Sequence, residues 1–214
     1  TLINGIELST TNNKDEIHIL GYFIDVHSKK LLDKIKELKM QRIESSKKII
    51  SFLKKKNIFL SWEEIYSKTS GIIGRPHLAR AMIKQNYVKS INEAFEKYLN
   101  DETIKNIIKY KINTFDAIRL ILDAGGLPVI AHPKSINSLN NQIDKLVDIG
   151  LSGIEVYAEK YGEMTQSYYL KICEKYNLIP TGGTDYHANN QKYEMMPGMN
   201  GPPYSTYEML IEKA

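Results

Sequence analysis

Leu178-Ile179-Pro180-Thr181-Gly182-Gly183-Thr184-Asp185-Tyr186-His187 is the stretch from which the fold of this chain can be read. The apolar lead-in reads as a short buried strand. Two glycines then permit the backbone to approach something closely. Asp185 and His187 follow, two residues apart, and at the end of a strand such a pair can turn both side chains towards one point. Carboxylate oxygen together with imidazole nitrogen suits a divalent transition metal or a proton-transfer pair. The bland alternative is a turn aspartate beside a surface histidine.

Working back towards the N-terminus, other segments end in the same way. Leu127-Pro128-Val129-Ile130-Ala131-His132-Pro133 reads as a buried strand with His132 at its C-terminal end. Gly153-Ile154-Glu155-Val156-Tyr157 is the next strand. Helices are predicted from Thr114, as cap, to Ala124, from Leu139 to Ile149 and from Gly162 to Tyr176, the first two closed by glycines. Strand, helix, strand, helix, strand implies parallel βαβ units with right-handed crossovers. Functional groups in such folds gather at the C-terminal ends of the strands. His132, Asp185 and His187 are all predicted there, and Glu7 is expected with them.

The first part of the chain follows a different rhythm. Leu2 to Leu8 reads as a strand carrying Glu7, Ser9 to Asp15 as a polar loop, and Ile17 to Ile24 as a second strand with His18 near its start. A glutamate and a histidine on neighbouring strands could meet; each alone is equally a loop cap and an edge-strand residue. From Ser28 to about Asn57 apolar residues recur at helical spacing, and the lysines between them mark a solvated face. Ser61-Trp62-Glu63-Glu64 and Ser90-Ile91-Asn92-Glu93 are capping boxes, and Ser205-Thr206-Tyr207-Glu208 is a third near the end. Gly71 to His77 is a turn into a helix, with Pro76 suited to the first turn. Residues 28–112 therefore read as a helical insertion. Residues 1–27 and 113–214 read as the α/β part.

Composition narrows the function classes. A net charge of +4 is too mild to require nucleic acid as a partner, but it is compatible with an anionic substrate. No stable binding of duplex DNA is expected. Arginine occurs only at 42, 75, 80 and 119, so an arginine between Gly74 and Pro76 stands out as a phosphate donor, against the alternative of a salt bridge to a neighbouring helix. The single cysteine, Cys173, excludes an intrachain disulfide and fits a reducing compartment. No apolar run has the length of a membrane helix, and no secretory leader opens the chain. A cytoplasmic protein without membrane contact is expected. The opening Thr1-Leu2-Ile3-Asn4-Gly5 lacks Met and is already strand-like, as expected of a chain that begins within a fold. Oligomeric state is not legible in the sequence.

Several segments, taken as an ordered set, resemble the PHP (polymerase and histidinol phosphatase) superfamily of metal-dependent phosphoesterases. They are Gly5-Ile6-Glu7-Leu8-Ser9, His18-Ile19-Leu20-Gly21-Tyr22, Gly74-Arg75-Pro76-His77-Leu78-Ala79-Arg80, Ala131-His132-Pro133, Gly153-Ile154-Glu155-Val156-Tyr157 and Gly182-Gly183-Thr184-Asp185-Tyr186-His187. Order and spacing match the branch acting on nucleoside 3′,5′-bisphosphates and short RNA. The resemblance implies a distorted (β/α)7 barrel with an α-helical insertion subdomain. It implies divalent metal ions (Mn2+, Zn2+ or Fe, up to three) held by Glu7, His18, His132, Asp185 and His187. It also implies substrate phosphate bound by Arg75 and Arg42, with His77 supporting the site from behind. The expected substrate is a small phosphorylated nucleotide or a short RNA. Phosphate-ester hydrolysis needs hydroxide at neutral pH and compensation of charge on the phosphoryl oxygens, and a multinuclear His/carboxylate site supplies both.

Two departures from the family pattern qualify the expectation. A leading strand with His-x-His and a nearby Asp, and a second ending in Thr-Asp-His, do not occur in the chain, so the barrel's first strands and four further ligands are expected to be missing. Ile107-Ile108-Lys109-Tyr110-Lys111 replaces an aromatic-valine stretch, which puts substrate contacts there in question. The chain as given is therefore expected to turn over poorly. The readings in competition are a nucleotide-directed phosphoesterase, a truncated barrel that binds metal or anion without turnover, and a histidinol-phosphate-type phosphatase.

Overall fold

The computed structural model describes residues 2–12, 15–69, 73–108, 111–136, 138–158, 161–186 and 195–214. Two compact units divide the chain. One comprises the residues up to Leu32 together with Ile112–Ala214, and the other is Asp33–Lys111.

The first unit is a mixed α/β fold built on a six-stranded sheet. Its strands are β1 (Gly5–Asn12), β2 (Asp15–Tyr22), β3 (Ile112–Asn113), β4 (Leu127–Ile130), β5 (Gly153–Ala158) and β6 (Ile179–Gly183), in the spatial order β3-β1-β2-β4-β5-β6. Strands β4, β5 and β6 run parallel, as the alternating strand–helix pattern implies. Strands β1 and β2 form an antiparallel hairpin, and β2 is antiparallel to β4.

Most of the predicted Ser9–Asp15 loop is strand: β1 runs to Asn12 and pairs with β2 from Asp15. The polar residues extend because their side chains are satisfied there. Thr10 is fully buried, and its hydroxyl donates to the Ile17 carbonyl at 2.7 Å and lies 2.8 Å from the Thr114 hydroxyl. A buried polar group costs little once it is paired in this way.

Alternation along the hairpin sorts its side chains. Leu8, Thr10, Ile17 and Ile19 are buried, whereas Glu7, Ser9, His18 and Leu20 occupy the opposite face. Helix α6 (Thr114–Asp123) packs on β1, β2 and β4, burying Ala117, Ile118, Leu120 and Ile121. Full burial of an isoleucine of this kind is worth about 1.5–3 kcal/mol. Its cap is Asn113, whose side chain accepts from the Phe115 N–H; the expected cap, Thr114, turns inward to Thr10 instead. The predicted 139–149 helix is split into a 3-10 turn (Leu139–Asn141) and α7 (Ile143–Asp148). Helix α8 (Glu163–Tyr176) follows β5, burying Tyr169 and Cys173. Helix α9 (Tyr204–Lys213) starts after Pro203, so Ser205 lies inside it and does not cap it. Thr206 donates to the Pro180 carbonyl at 2.9 Å, and Leu210 packs with Leu127 and Ile179.

The second unit is helical. It contains most of α1 (Lys29–Lys55), with α2 (Trp62–Ser67), α3 (Arg75–Lys84), α4 (Ile91–Ala94, continued by a π-turn over Phe95–Leu99) and α5 (Glu102–Ile107). Ser61 and Ser90 cap α2 and α4, accepting from Glu64 N–H and Glu93 N–H. The core gathers Ile49, Leu53, Leu78, Met82, Leu99 and Ile104. No helix among the described residues is long and apolar enough to cross a membrane.

Candidate metal centre

Register explains how residues far apart in sequence reach one place. In the hairpin, Glu7 is opposite Leu20 and Ser9 is opposite His18, so Glu7 and His18 are diagonal neighbours on one face, within reach of each other. Because β2 runs against β4, the start of β2 lies beside the end of β4, and Ala131 N–H donates to the His18 carbonyl at 2.9 Å. One residue further, His132 carries its imidazole to the same point.

Glu7, His18 and His132 form a tight trio. His18 Nδ1 is 2.6 Å from Glu7 Oε1 and 3.1 Å from His132 Nε2, and His132 Nε2 is 3.7 Å from the same Glu7 oxygen. Donor atoms each about 2.1 Å from one ion are separated by about 3.0 Å at a right angle and about 3.4 Å in a tetrahedron. The observed separations straddle those values. All three potential ligand atoms lie within 4.8 Å of one another, and the side chains are partly open to solvent.

Hydrogen bonding alone leaves this arrangement over-subscribed. His18 Nδ1 faces both Glu7 and His132 Nε2, but it carries at most one proton. A cation among the three atoms would use the lone pairs of both nitrogens and the carboxylate charge together. The Nδ1 of His132 lies 3.4 Å from the Ser135 hydroxyl, which itself donates to the His132 carbonyl at 3.1 Å. That leaves Nε2 turned to the trio, the usual disposition of a ligating histidine. The residues present therefore fit a divalent metal ion.

Charge couples the three groups in the absence of metal. The Glu7 carboxyl is held well below the usual carboxylate range by the imidazoles of His132 and His18. His18 is raised to about 9 by Glu16 and Glu7, against the opposing effect of burial. His132 is also raised, chiefly through Glu7.

Asp185 follows β6, with a left-handed φ of 49°. It stands outside the trio, although its charge acts on His132 and on Glu155. His187 lies outside the described residues. Arg42, Arg75 and His77 belong to the helical unit. Arg75 stacks on Phe95, its guanidinium carbon 5.3 Å from the ring centroid, and approaches the Leu99 carbonyl and Asn100 Oδ1, each at 3.5 Å. His77 Nδ1 accepts from the Gly74 N–H at 3.1 Å while its own N–H returns to the Gly74 carbonyl at 3.0 Å. It thus closes the start of α3, and burial lowers its pKa.

The Gly182-Gly183 pair also has a specific cause. A Cβ on Gly182 would sit 2.4 Å from the Tyr157 carbonyl oxygen, so what the backbone approaches closely is the neighbouring strand. Here β5 and β6 slip in register between Glu155 and Tyr157, a bulge of the kind that re-aims side chains.

Sequence reasoning quoted Glu155 but gave it no role. It is 7% exposed, and its Oε2 accepts the His132 N–H at 2.7 Å. Burial raises its pKa. Its signal was available in outline: a carboxylate at the centre of an otherwise apolar strand.

No family model matches the chain. It is 26% identical over 192 residues to a 3′,5′-nucleoside bisphosphate phosphatase of Chromobacterium violaceum, covering 87% of this chain and 67% of that protein. It is 26% identical over 190 residues to a 5′-3′ exoribonuclease of Haemophilus influenzae, covering 87% and 69%. The chain thus spans about two thirds of the length of these relatives. Among solved structures it resembles a protein ascribed to the metal-dependent phosphoesterases from Bifidobacterium adolescentis, with a TM-score of 0.81 and 22% identity over 100% of this chain and 77% of that one. An amidohydrolase from Chromobacterium violaceum, crystallised with sulfate, gives a TM-score of 0.78 and 22% identity over 97% and 76%. Likeness in sequence to a bisphosphate phosphatase and an exoribonuclease, and likeness in fold to these solved structures, are consistent with the resemblance to the PHP superfamily that the motifs carry.

Proposed function

We propose that this chain carries part of the active site of a metal-dependent phosphoesterase acting on phosphate esters of nucleotides, either a nucleoside 3′,5′-bisphosphate or the 5′ end of a short RNA. The observation that carries the reading is the trio itself: Glu7, His18 and His132 bring one carboxylate oxygen and two imidazole nitrogens within 4.8 Å of one another. The names of the relatives, a bisphosphate phosphatase and an exoribonuclease, support the nucleotide class of substrate.

In this reading Glu7, His18 and His132 hold a divalent ion, with Asp185 and His187 as further ligands. Manganese, zinc or iron each suits the mixed nitrogen and oxygen donors. A bound divalent ion supplies charge to the phosphoryl oxygens and lowers the pKa of water. The chain's own residues prepare for this. Glu7 remains ionised to low pH, and Ser135 keeps the Nε2 face of His132 turned to the trio. Arg75 and Arg42 are proposed to bind the substrate phosphate, Arg75 with a fork whose plane is already set by stacking on Phe95. The helical unit would be the insertion, and the sheet unit the barrel part that holds the metal.

The test is to purify the protein, remove and restore manganese, and follow phosphate release from adenosine 3′,5′-bisphosphate, 5′-phosphorylated short RNA and histidinol phosphate. Slow metal-dependent release from either nucleotide substrate, still above that from histidinol phosphate, is expected of this chain. Preference for histidinol phosphate would replace the substrate assignment. Saturable manganese binding without turnover of any substrate would favour a binding barrel instead.

A further inference from the structure

We propose that Glu155 is a positioning residue for the metal centre, its buried carboxylate fixing the turn at His132 so that the imidazole is delivered to Glu7 and His18. The inference rests on reading the trio as a metal site, and adds to it a residue with no contact to the metal.

His132 lies just where the sheet runs out. The last β4–β5 pair is Ile130 with Ile154, and Ala131 is still tied to β2 through the His18 carbonyl. The next N–H, that of His132, has no ladder partner, and the backbone there takes φ 29° and ψ 60°. A non-glycine residue at such angles costs of order 1–3 kcal/mol and persists only when its surroundings over-determine it. The restraint comes from β5. Glu155 Oε2 accepts the His132 N–H at 2.7 Å, and Ser135 ties the carbonyl of the same residue at 3.1 Å. Both peptide groups of the turn are thereby held, and the ring between them has one direction to go.

Glu155 is an expensive residue for a merely structural task. It is 7% exposed, and no cation among the described residues pairs with it. Burying a carboxylate on a single backbone hydrogen bond is unfavourable, and a leucine of similar size would fill the space at lower cost. Nor is it placed as a ligand, because it lies outside the cluster of donor atoms. What a carboxylate at this position provides, and an apolar residue does not, is an acceptor for the His132 N–H. The strand slip between Glu155 and Tyr157 directs the side chain to that task.

The experiment compares Glu155→Gln, Glu155→Leu and Glu155→Asp in the full chain. Gln keeps an acceptor at the same reach, Leu removes it, and Asp keeps the charge but falls one methylene short. Metal affinity is measured by titration with Mn2+ followed by electron paramagnetic resonance. The histidine ring resonances of the metal-free proteins are followed by NMR, and thermal midpoints are recorded. Gln is expected to bind Mn2+ within about threefold of the unmodified chain, and Leu to lose about 10–100-fold, the range typical of outer partners of ligands. Asp should fall between them, and its His132 ring signals should move away from the positions kept by Gln. Should Leu fail to fold, the Gln and Asp pair still decides.

Loss in Gln as severe as in Leu or Asp would make the carboxylate a ligand and overturn the proposal. So would unchanged affinity and ring signals in Asp or Leu, whether or not the midpoint falls. If the unmodified chain binds no Mn2+ at all, the metal reading fails. The ring resonances then still report whether Glu155 sets the His132 turn.

Discussion

His18 Nδ1 and His132 Nε2 lie 3.1 Å apart although 114 residues separate them in the chain. The two rings meet edge to face with centroids 4.8 Å apart, and Glu7 closes the triangle from the adjacent strand. One proton on His18 Nδ1 cannot serve both the Glu7 oxygen and His132 Nε2, whereas a cation among them would take a lone pair from each.

Removing a member of the trio should affect metal binding more than removing an outer partner. His132→Ala and His18→Ala are each expected to weaken Mn2+ binding by more than the roughly 10–100-fold typical of outer partners. His27, exposed and outside the trio, serves as the control. Calorimetric titration of the three variants checks this, and equal affinities for all three would remove the trio from the metal site.

Stability of the metal-free protein should depend on pH in a defined direction. His18 is raised to about 9 in the fold, so its contribution is complete below its ordinary value of 6.5 and is lost as pH rises through about 9. Glu7 is depressed, so its contribution is present above its ordinary value of 4.5 and is lost as pH falls below it. The midpoint for unfolding should therefore be highest between these two ordinary values and decline towards pH 9. His18→Gln should flatten the alkaline decline. Mn2+ affinity should run the other way, strengthening with pH, because bound metal must displace the proton on His18. A His18→Gln variant with an unchanged alkaline slope would contradict the assignment.

Arg75→Ala should raise the Michaelis constant for adenosine 3′,5′-bisphosphate far more than Lys54→Ala. A charge-assisted phosphate contact is worth roughly 1.5–3 kcal/mol, about ten- to a hundredfold in binding. Arg75 also braces Leu99 and Asn100, so the melting curve of the variant is needed beside its kinetics. Small and equal effects of both changes on the Michaelis constant would leave Arg75 with its bracing role alone.

Gly182→Ala should destabilise the sheet at the site. The added methyl would meet the Tyr157 carbonyl oxygen at 2.4 Å and its Cβ at 2.5 Å, so the two strands must separate. Overpacking of this kind costs about 1–3 kcal/mol. Gly125→Ala has no clash and is strained only by its φ of 71°, which makes it a measure of the backbone penalty alone. Chemical denaturation of both variants separates the two costs, and a smaller loss at Gly182 than at Gly125 would count against the packing account.

Local chemistry made much of this molecule legible in its sequence. Ser61 and Ser90 announce their helices because a hydroxyl three residues before a glutamate satisfies N–H groups that nothing else can reach. Strands β4, β5 and β6 are short, mostly apolar runs, β4 following a glycine pair, β5 opening on a glycine and β6 ending in a glycine pair, and their parallel order follows from the helices between them. His132, Glu7 and His18 stood out as isolated polar groups at or near the ends of apolar runs. What the sequence could not determine was which of these groups meet. That depends on the antiparallel pairing of β2 with β4, which places the first residues of one strand beside the last of the other and brings His18 to His132. Thr10 and Thr114 likewise looked like loop and cap, and became a buried pair only because α6 lies on the hairpin. Glu155 needed the tertiary structure most. Its partner is a backbone N–H at residue 132, and peptide groups carry no identity in a sequence; only the slip of β5 against β6 and the end of the β4 ladder bring that donor to that carboxylate.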